Sequence, residues 1–167
     1  MASRWSLRTA QPVDADAISA LLERSYPLIW KSHYPPAILA AVLPLVTRAN
    51  PSLLASGRFF IAMVEGKLAM GCGGWSAEWP GSERVDPGVC HARHFATDAH
   101  WLRKGIGRAI FDRCINDAKA AGFATMLVDS ARGAESFYAA LGFSPVGPSN
   151  TVIGGMALPG TMMMRLL

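Results

Sequence analysis

The residues with the clearest chemical potential lie in the run 101–108, WLRKGIGR. Gly105 and Gly107 carry no Cβ atom, so the chain can turn tightly there and a ligand can come close to the main chain. An amphipathic helical pattern follows, and the first amides of a helix lie unpaired at the positive end of its dipole. Arg103, Lys104 and Arg108 add positive charge. The run therefore predicts a binding site for a polyphosphate.

Two histidines, His91 and His94, lie just upstream, in a run that reads as a β-strand over residues 89–97. Imidazole titrates near neutral pH, so either side chain can accept or donate a proton. Their odd spacing places them on opposite faces of a regular strand, and a β-bulge between them would change that arrangement. Both are candidate general bases. The simpler interpretation, two ordinary half-exposed strand histidines, stays open.

The elements that position these residues follow from hydrophobic periodicity and turn residues. Strands are predicted at residues 5–8, 58–64, 67–75, 89–97, 125–128, 152–153 and 162–166, with Glu65-Gly66 as a hairpin turn. Helices are predicted after an N-cap at Asp14, in parts of 26–45 interrupted by Pro27, Pro35-Pro36 and Pro44, after the glycine turn as far as Gly122, and at 134–141. This order predicts an α+β or mixed α/β domain built around one sheet.

Composition limits the class of protein. The 167 residues, 51% hydrophobic and 17% charged, predict one globular domain spanning residues 1–167 rather than a disordered chain. A net charge of +4 suits an anionic ligand but is too small and dispersed to indicate nucleic-acid binding. Three cysteines without CxxC spacing argue against disulfides and a metal site. With no signal-peptide pattern and charges interrupting the apolar runs, we expect a cytoplasmic protein that does not bind membranes.

The chain resembles the GNAT superfamily of acetyl-coenzyme A-dependent N-acetyltransferases. Its family motif [Q/R]-x-x-G-x-[G/A] is matched by residues 102–107, LRKGIG, except that Leu102 replaces Gln or Arg. The second motif, N-x-x-A-x-x-F-Y-x-x-x-G-F, is matched by residues 131–143, ARGAESFYAALGF, except that Ala131 replaces Asn. The glycine motif alone is weak, but two motifs in order with a strand between them are specific. The resemblance implies a central mixed, mostly antiparallel sheet flanked by helices.

The resemblance also implies roles for individual residues. Tyr138 would protonate or hydrogen-bond the leaving thiolate, and the Phe95 amide would stabilise the oxyanion. His91 stands where some relatives carry a glutamate base, so it is favoured over His94. Thr97 would pair with the pantetheine arm. The pyrophosphate would be bound by the amides of residues 103–108, which are Arg103, Lys104, Gly105, Ile106, Gly107 and Arg108.

We therefore expect an enzyme that moves an acetyl group from acetyl-CoA, as cosubstrate and without a metal, to a primary amine of a small molecule or peptide by direct attack in a ternary complex. A catalytically weak module that binds CoA as a sensor or interaction partner is the alternative, mildly favoured by Leu102 and Ala131. A dinucleotide-dependent oxidoreductase is a poor fit, because Ile110 stands where a third glycine is required. Monomer and homodimer both stay open.

Overall fold

The computed structural model describes residues 4–65 and 68–167. The strands are β1 (Trp5–Thr9), β2 (Phe59–Val64), β3 (Leu68–Ser76), β4 (Val89–Thr97), β5 (Thr125–Ala131), β6 (Ser144–Ile153) and β7 (Met156–Leu166). The helices are α1 (Ala15–Trp30), α2 (Pro36–Val46), α3 (Pro51–Ala55), α4 (Ile106–Ala120) and α5 (Glu135–Ala140), with short 3-10 turns at Pro12–Asp14 and Ala99–Trp101. Gly66 of the predicted hairpin turn, and Lys67 of the strand after it, lie outside the described residues.

The seven strands form one sheet in the order β1-β2-β3-β4-β5-β7-β6. The β4–β5 pair is parallel, and the other neighbouring pairs are antiparallel. The mixed, mostly antiparallel sheet flanked by helices is therefore confirmed. The parallel pair marks the point where the chain crosses over through α4 instead of making a hairpin.

Helices cover both faces of the sheet. On one face, α4 buries an apolar stripe that includes Ile110, Phe111 and Cys114 against the inner strands. On the opposite face, α1 and α3 bury Leu21, Leu22 and other apolar side chains against β2 and β3. The last turn of α1 and α2 pack together on the β6–β7 hairpin. This arrangement gives β4 and β5 one face toward α4 and one toward the α1 side of the molecule.

The helices around the prolines differ from the prediction. Pro27 was expected to interrupt a helix, yet α1 continues through it to Trp30. Pro27 removes one hydrogen bond within the last turn, and stacking of Tyr26 on Trp30, with ring centroids 5.2 Å apart, supports that turn. Likewise, α2 continues through Pro44. The short helix α3 was not predicted, although Asn50 caps it in the usual way by accepting from the amides of Ser52 and Leu53.

Two other predictions needed correction. Asp14 does occupy the N-cap position of α1, but its carboxylate accepts hydrogen bonds from the Arg8 guanidinium at 2.8 Å and the Gln11 amide at 2.7 Å instead of capping the helix. The closing strands β6 and β7 are also much longer than predicted, at 10 and 11 residues. Antiparallel pairing along the whole hairpin extends them through prolines and glycines that local propensity disfavours in strands.

Residues 36–55 form one apolar stretch that passes, by length and composition alone, for a membrane-spanning helix. This is a weak indicator, and the fold breaks the stretch into α2, of 11 residues, and α3, of 5. Neither helix has the roughly 20 residues that a bilayer core requires.

Candidate active site

The central opening of the sheet lies between β4 and β5. These strands pair only at their beginnings, with Val89 opposite Thr125 and His91 opposite Leu127. Farther along, β4 stays paired with β3 as far as Thr97, and β5 pairs with β7 as far as Ala131. The two strands therefore diverge, and the backbone groups on their facing edges are left for another extended partner. The opening widens toward the carboxyl end of β4, where the glycine turn begins.

A β-bulge in β4 lies beside this opening. Gly74 of β3 pairs with Arg93, but Cys72, two residues earlier, pairs with Ala96, so β4 contains one extra residue. His94, within the bulge, has φ of +50°. As a result, Phe95 packs on the α4 side, as Ala92 does, despite their odd spacing. The bulge therefore re-aims the backbone at the position predicted to supply the oxyanion donor.

The glycine turn has the backbone geometry that its sequence predicted. Gly105, with φ of +80°, is the N-cap of α4, and Arg103 before it also has a positive φ of +60°. A Cβ built on Gly105 meets no atom within 4 Å, so the space in front of the helix start is open. The first amides of α4 lie at the positive end of a 15-residue helix dipole. This opening fits an anion.

The side chains around the glycine turn contact other parts of the protein. The Lys104 ammonium lies 4.4 Å from the centre of the Trp101 ring, and Arg108 donates to the Ala140 carbonyl at 3.0 Å. Gly107 was expected to admit a ligand, but a Cβ there would lie 2.9 Å from the Phe137 ring. Its missing side chain therefore allows α4 to approach α5. The main chain is left as the strongest candidate for binding phosphate.

Tyr138 and Phe95 come together on the α4 side of the sheet. Their ring centroids are 6.3 Å apart in an edge-to-face arrangement, and Tyr138 also contacts Phe137 and Phe143 at 5.0 and 5.6 Å. Tyr138 is 8% exposed, and burial raises the pKa of its hydroxyl above the usual 10.0. The phenol is therefore protonated at neutral pH and able to donate a hydrogen bond.

The two histidines lie in different environments. His91 is 2% exposed and its ring centre is 4.5 Å from that of Trp79. Within the described part of the chain, its buried Nε2 has no hydrogen-bond partner. Burial lowers the pKa of His91 to about 4, and that of His94 to about 4 as well, with the charge of Arg93 adding to both shifts. Both imidazoles are therefore neutral at pH 7.

The three cysteines are buried. Burial raises the pKa of Cys72 and of Cys90 to about 12, and raises the pKa of Cys114 well above 9.0. Cys90 faces the α4 core. Because the thiolate is the nucleophilic form, none of these thiols is activated for attack at neutral pH.

One ion pair beside the site had no signal in the sequence. The Arg24 guanidinium, on α1, donates to the Asp98 carboxylate at 2.6 Å and to the Ala69 carbonyl at 2.5 Å. Although burial raises the pKa of Asp98, hydrogen bonds from Arg24 and the His100 amide hold it below its usual value. This ion pair ties α1 to the start of the glycine turn. The structure also contains a cleft on the α1 side of the sheet that includes Arg93.

Comparison with known proteins identifies the family. The model of the GNAT acetyltransferase domain matches residues 55–145, more than half of the chain, while a search of curated proteins gives no match. A GCN5-related N-acetyltransferase structure from Rhodopseudomonas palustris is 20% identical, with a TM-score of 0.77 over 97% of this chain and 95% of that one.

Two further structures share the fold. PaiA N-acetyltransferase from Thermoplasma acidophilum, in complex with coenzyme A, is 10% identical with a TM-score of 0.69, over 98% of this chain and 99% of that one. The ribosomal-protein-S18-alanine N-acetyltransferase from Escherichia coli is 16% identical with a TM-score of 0.64, over 98% and 94%. The domain match, the shared fold and the two motifs agree: this chain belongs to the GNAT family of acetyltransferases.

Proposed function

We propose that this acetyltransferase moves the acetyl group of acetyl-CoA to a primary amine of a small molecule or peptide, by direct attack within a ternary complex. The observation that carries the proposal is the divergence of β4 and β5, which opens onto the glycine-started helix α4. One opening thus offers an anion site at one end and free strand edges beside it.

The residues of this opening fit acetyl-CoA, which supplies the acyl group as an activated thioester. The amides of residues 103–108 would hold the pyrophosphate, because the space before Gly105 is open and the helix dipole favours negative charge. The facing edge of β4 near Thr97 would pair with the extended pantetheine arm. Leu102 stands where the family has a polar residue, and its side chain is 54% exposed. The loss of that polar side chain does not remove the main-chain amides of residues 103–108.

On the α4 side of the opening, two groups serve the thioester. The Phe95 amide, in the bulge, would stabilise the negative charge that develops on the carbonyl oxygen. Tyr138, protonated and edge-to-face with Phe95, would donate a proton or hydrogen bond to the sulfur as the C–S bond breaks. The balanced reaction forms one C–N bond, breaks one C–S bond, and moves one proton from the amine to the departing thiolate.

The amine would approach from the α1 side, which His91 faces. A free alkyl amine has a pKa near 10.4, so only about one molecule in a thousand is neutral at pH 7. A buried imidazole with a pKa of about 4 is a weak base, and it is best suited to take the proton as the new C–N bond makes the nitrogen acidic. His91 is the favoured residue for this role, with His94 as the alternative.

A panel of amines and peptides, tested for release of free CoA thiol from acetyl-CoA, tests this proposal. We expect thiol release that depends on the amine, and an acetylated amine in equal amount by mass spectrometry. Calorimetry with coenzyme A on the same protein separates binding from chemistry. Tight CoA binding with no amine-dependent thiol release across the panel would contradict the proposal and favour a binding module.

A further inference from the structure

A cleft of about 400 Å³ opens on the surface between α3, the end of β3 and the loop after it. This volume is in the range of small-molecule sites. We call it the arginine cleft, after Arg58 and Arg93. Its charged and aromatic lining residues are Arg58, Arg93, Trp75, Trp79, Glu78 and Glu83. Both glutamates are exposed, whereas both arginines are half-buried. The cleft is therefore positive in its interior and acidic at its rim.

Arg93 is a half-buried arginine that forms no ion pair with the described residues. Its Nη1 donates to the Ser76 hydroxyl at 2.9 Å. Among residues 4–65 and 68–167, four arginine–aspartate pairs form within 4.0 Å, and Arg93 is in none of them. Burial lowers the pKa of Arg93, while the charge of Glu78 acts in the opposite direction. A guanidinium stays charged under such shifts, so a half-buried positive charge lacks a close anion.

Arg58 extends the same positive interior. Its guanidinium lies over the Trp75 ring, 4.3 Å from the ring centre, and it too is absent from the ion pairs of the described residues. Stacking holds the plane of the guanidinium while leaving donors on its edge. Among the described residues, neither arginine has an acidic partner within 4.0 Å, and a guanidinium with free donors favours a carboxylate in planar geometry.

The position of Arg93 connects this cleft to the acetyl-transfer site. Arg93 lies on β4 two residues before Phe95, at the start of the bulge. It lies on the same face of β4 as His91, two residues earlier, and that face is the one from which the amine would approach. A carboxylate bound at Arg93 would therefore lie within a few bonds of an amine placed at the bulge.

We infer that the acceptor is an amino acid or a compound like it, with a carboxylate close to its amine, and that Arg93 binds this carboxylate. The inference rests on the proposed acetyl transfer, and it selects one class among the possible amines. Arg93 is here a residue that determines specificity. The alternative, in which Arg93 only orders β4 through Ser76, predicts no discrimination between acceptors.

The experiment compares amino acids with the amines that remain when their carboxylate is removed, for example phenylalanine with phenethylamine. The two amines have similar basicity, so the carboxylate is the main difference. We expect kcat/KM of the wild-type protein to favour the carboxylate partner by on the order of 30-fold, the worth of a charge-assisted hydrogen-bonded pair. Arg93→Gln should reduce that ratio to near one, chiefly through KM, and Arg93→Lys should keep part of it.

The matched control is Arg113→Gln, which removes an exposed arginine that pairs with Asp117 on α4. Its acceptor ratio should equal that of the wild type. Thermal melting and CoA affinity establish that Arg93→Gln is folded. Equal rates for both partners in the wild type, or an undiminished preference in folded Arg93→Gln, would overturn the inference.

A binding measurement separates this inference from the proposed reaction. Calorimetry with N-acetylphenylalanine and N-acetylphenethylamine, in the presence of CoA, needs no turnover. Tighter binding of N-acetylphenylalanine by the wild-type protein, but not by Arg93→Gln, supports the inference even if no amine is acetylated. The absence of acetylation would contradict only the proposed function. If Arg93→Gln does not fold, the wild-type acceptor ratio and the wild-type product binding decide, and the absence of a carboxylate preference in either one overturns the inference.

Discussion

Substitution of Gly105 tests the placement of the pyrophosphate directly. Gly105 has φ of +80° and open space where a Cβ would stand. A valine there meets no protein atom within 4 Å of its Cβ, so the cost in the free protein comes from the backbone conformation, about 1–3 kcal/mol. For a protein of this size, that corresponds to a fall in Tm of roughly 2–12 °C. A bound phosphate would meet the side chain as well.

The same helix supplies a matched control. Gly122, just beyond the carboxyl end of α4, has φ of +89° and also no atom within 4 Å of a built Cβ. Gly122→Val should therefore lower Tm about as much as Gly105→Val. Only Gly105→Val should weaken CoA binding, by on the order of 10- to 100-fold, because one or two charge-assisted hydrogen bonds to phosphate would be lost.

The assay is calorimetric titration with coenzyme A, run beside thermal melting of both variants at the same pH and salt. The stability loss is shared, so the difference in Kd between the variants isolates the contact with the ligand. If folded Gly105→Val binds CoA as tightly as Gly122→Val, the pyrophosphate does not lie at the start of α4, and the assignment of residues 103–108 fails with it.

The remaining predictions concern the two faces of the opening. Tyr138→Phe keeps the ring packing but removes the donor, so kcat should fall by on the order of 100-fold or more with CoA affinity unchanged; an unchanged kcat would remove Tyr138 from the mechanism. His91→Asn should lower the rate at pH 7, and the deficit should shrink at high pH, where hydroxide can take the proton from the attacking nitrogen in place of His91; a loss independent of pH would exclude His91 as the base. Because the pKa of His91 falls from 6.5 to about 4 on folding, the unfolded chain binds the extra proton, so stability is fully present above pH 6.5 and is lost as the pH falls toward 4. Chemical denaturation should show that the free energy of unfolding falls between pH 7 and pH 5, and that it falls less in His91→Asn than in the wild type. The difference should be up to about 1.4 kcal/mol per pH unit. Equal losses in the two proteins would contradict a buried, neutral His91.

Local sequence was informative where one segment carries the whole signal. The strand β4 has the bounds predicted for it, since β-forming residues and turn residues mark both ends. The glycine turn also has the predicted geometry, because the left-handed conformation at Gly105 is a local property of the backbone. The helix predicted at 134–141 agrees with α5 to within a residue at each end, and Tyr138 lies in it. These features depend on neighbours in the chain.

Features that depend on distant partners were beyond the sequence. Passage of α1 through Pro27 depends on packing of its last turn, and the length of β6 and β7 depends on their pairing with each other. The bulge that separates the environments of His91 and His94 is a mismatch in register between β3 and β4. None of these contacts leaves a periodic pattern in either segment alone.

The amino-acid sequence alone determined the family, the order of most elements and the location of the helix start that would bind an anion, because short motifs encode backbone geometry. The tertiary structure decided which charges meet. It paired Arg24 with Asp98, 74 residues apart, and left Arg93 half-buried without an acidic partner in the described chain. Electrostatic energy depends on distance and burial, and both of these are set by the folded chain.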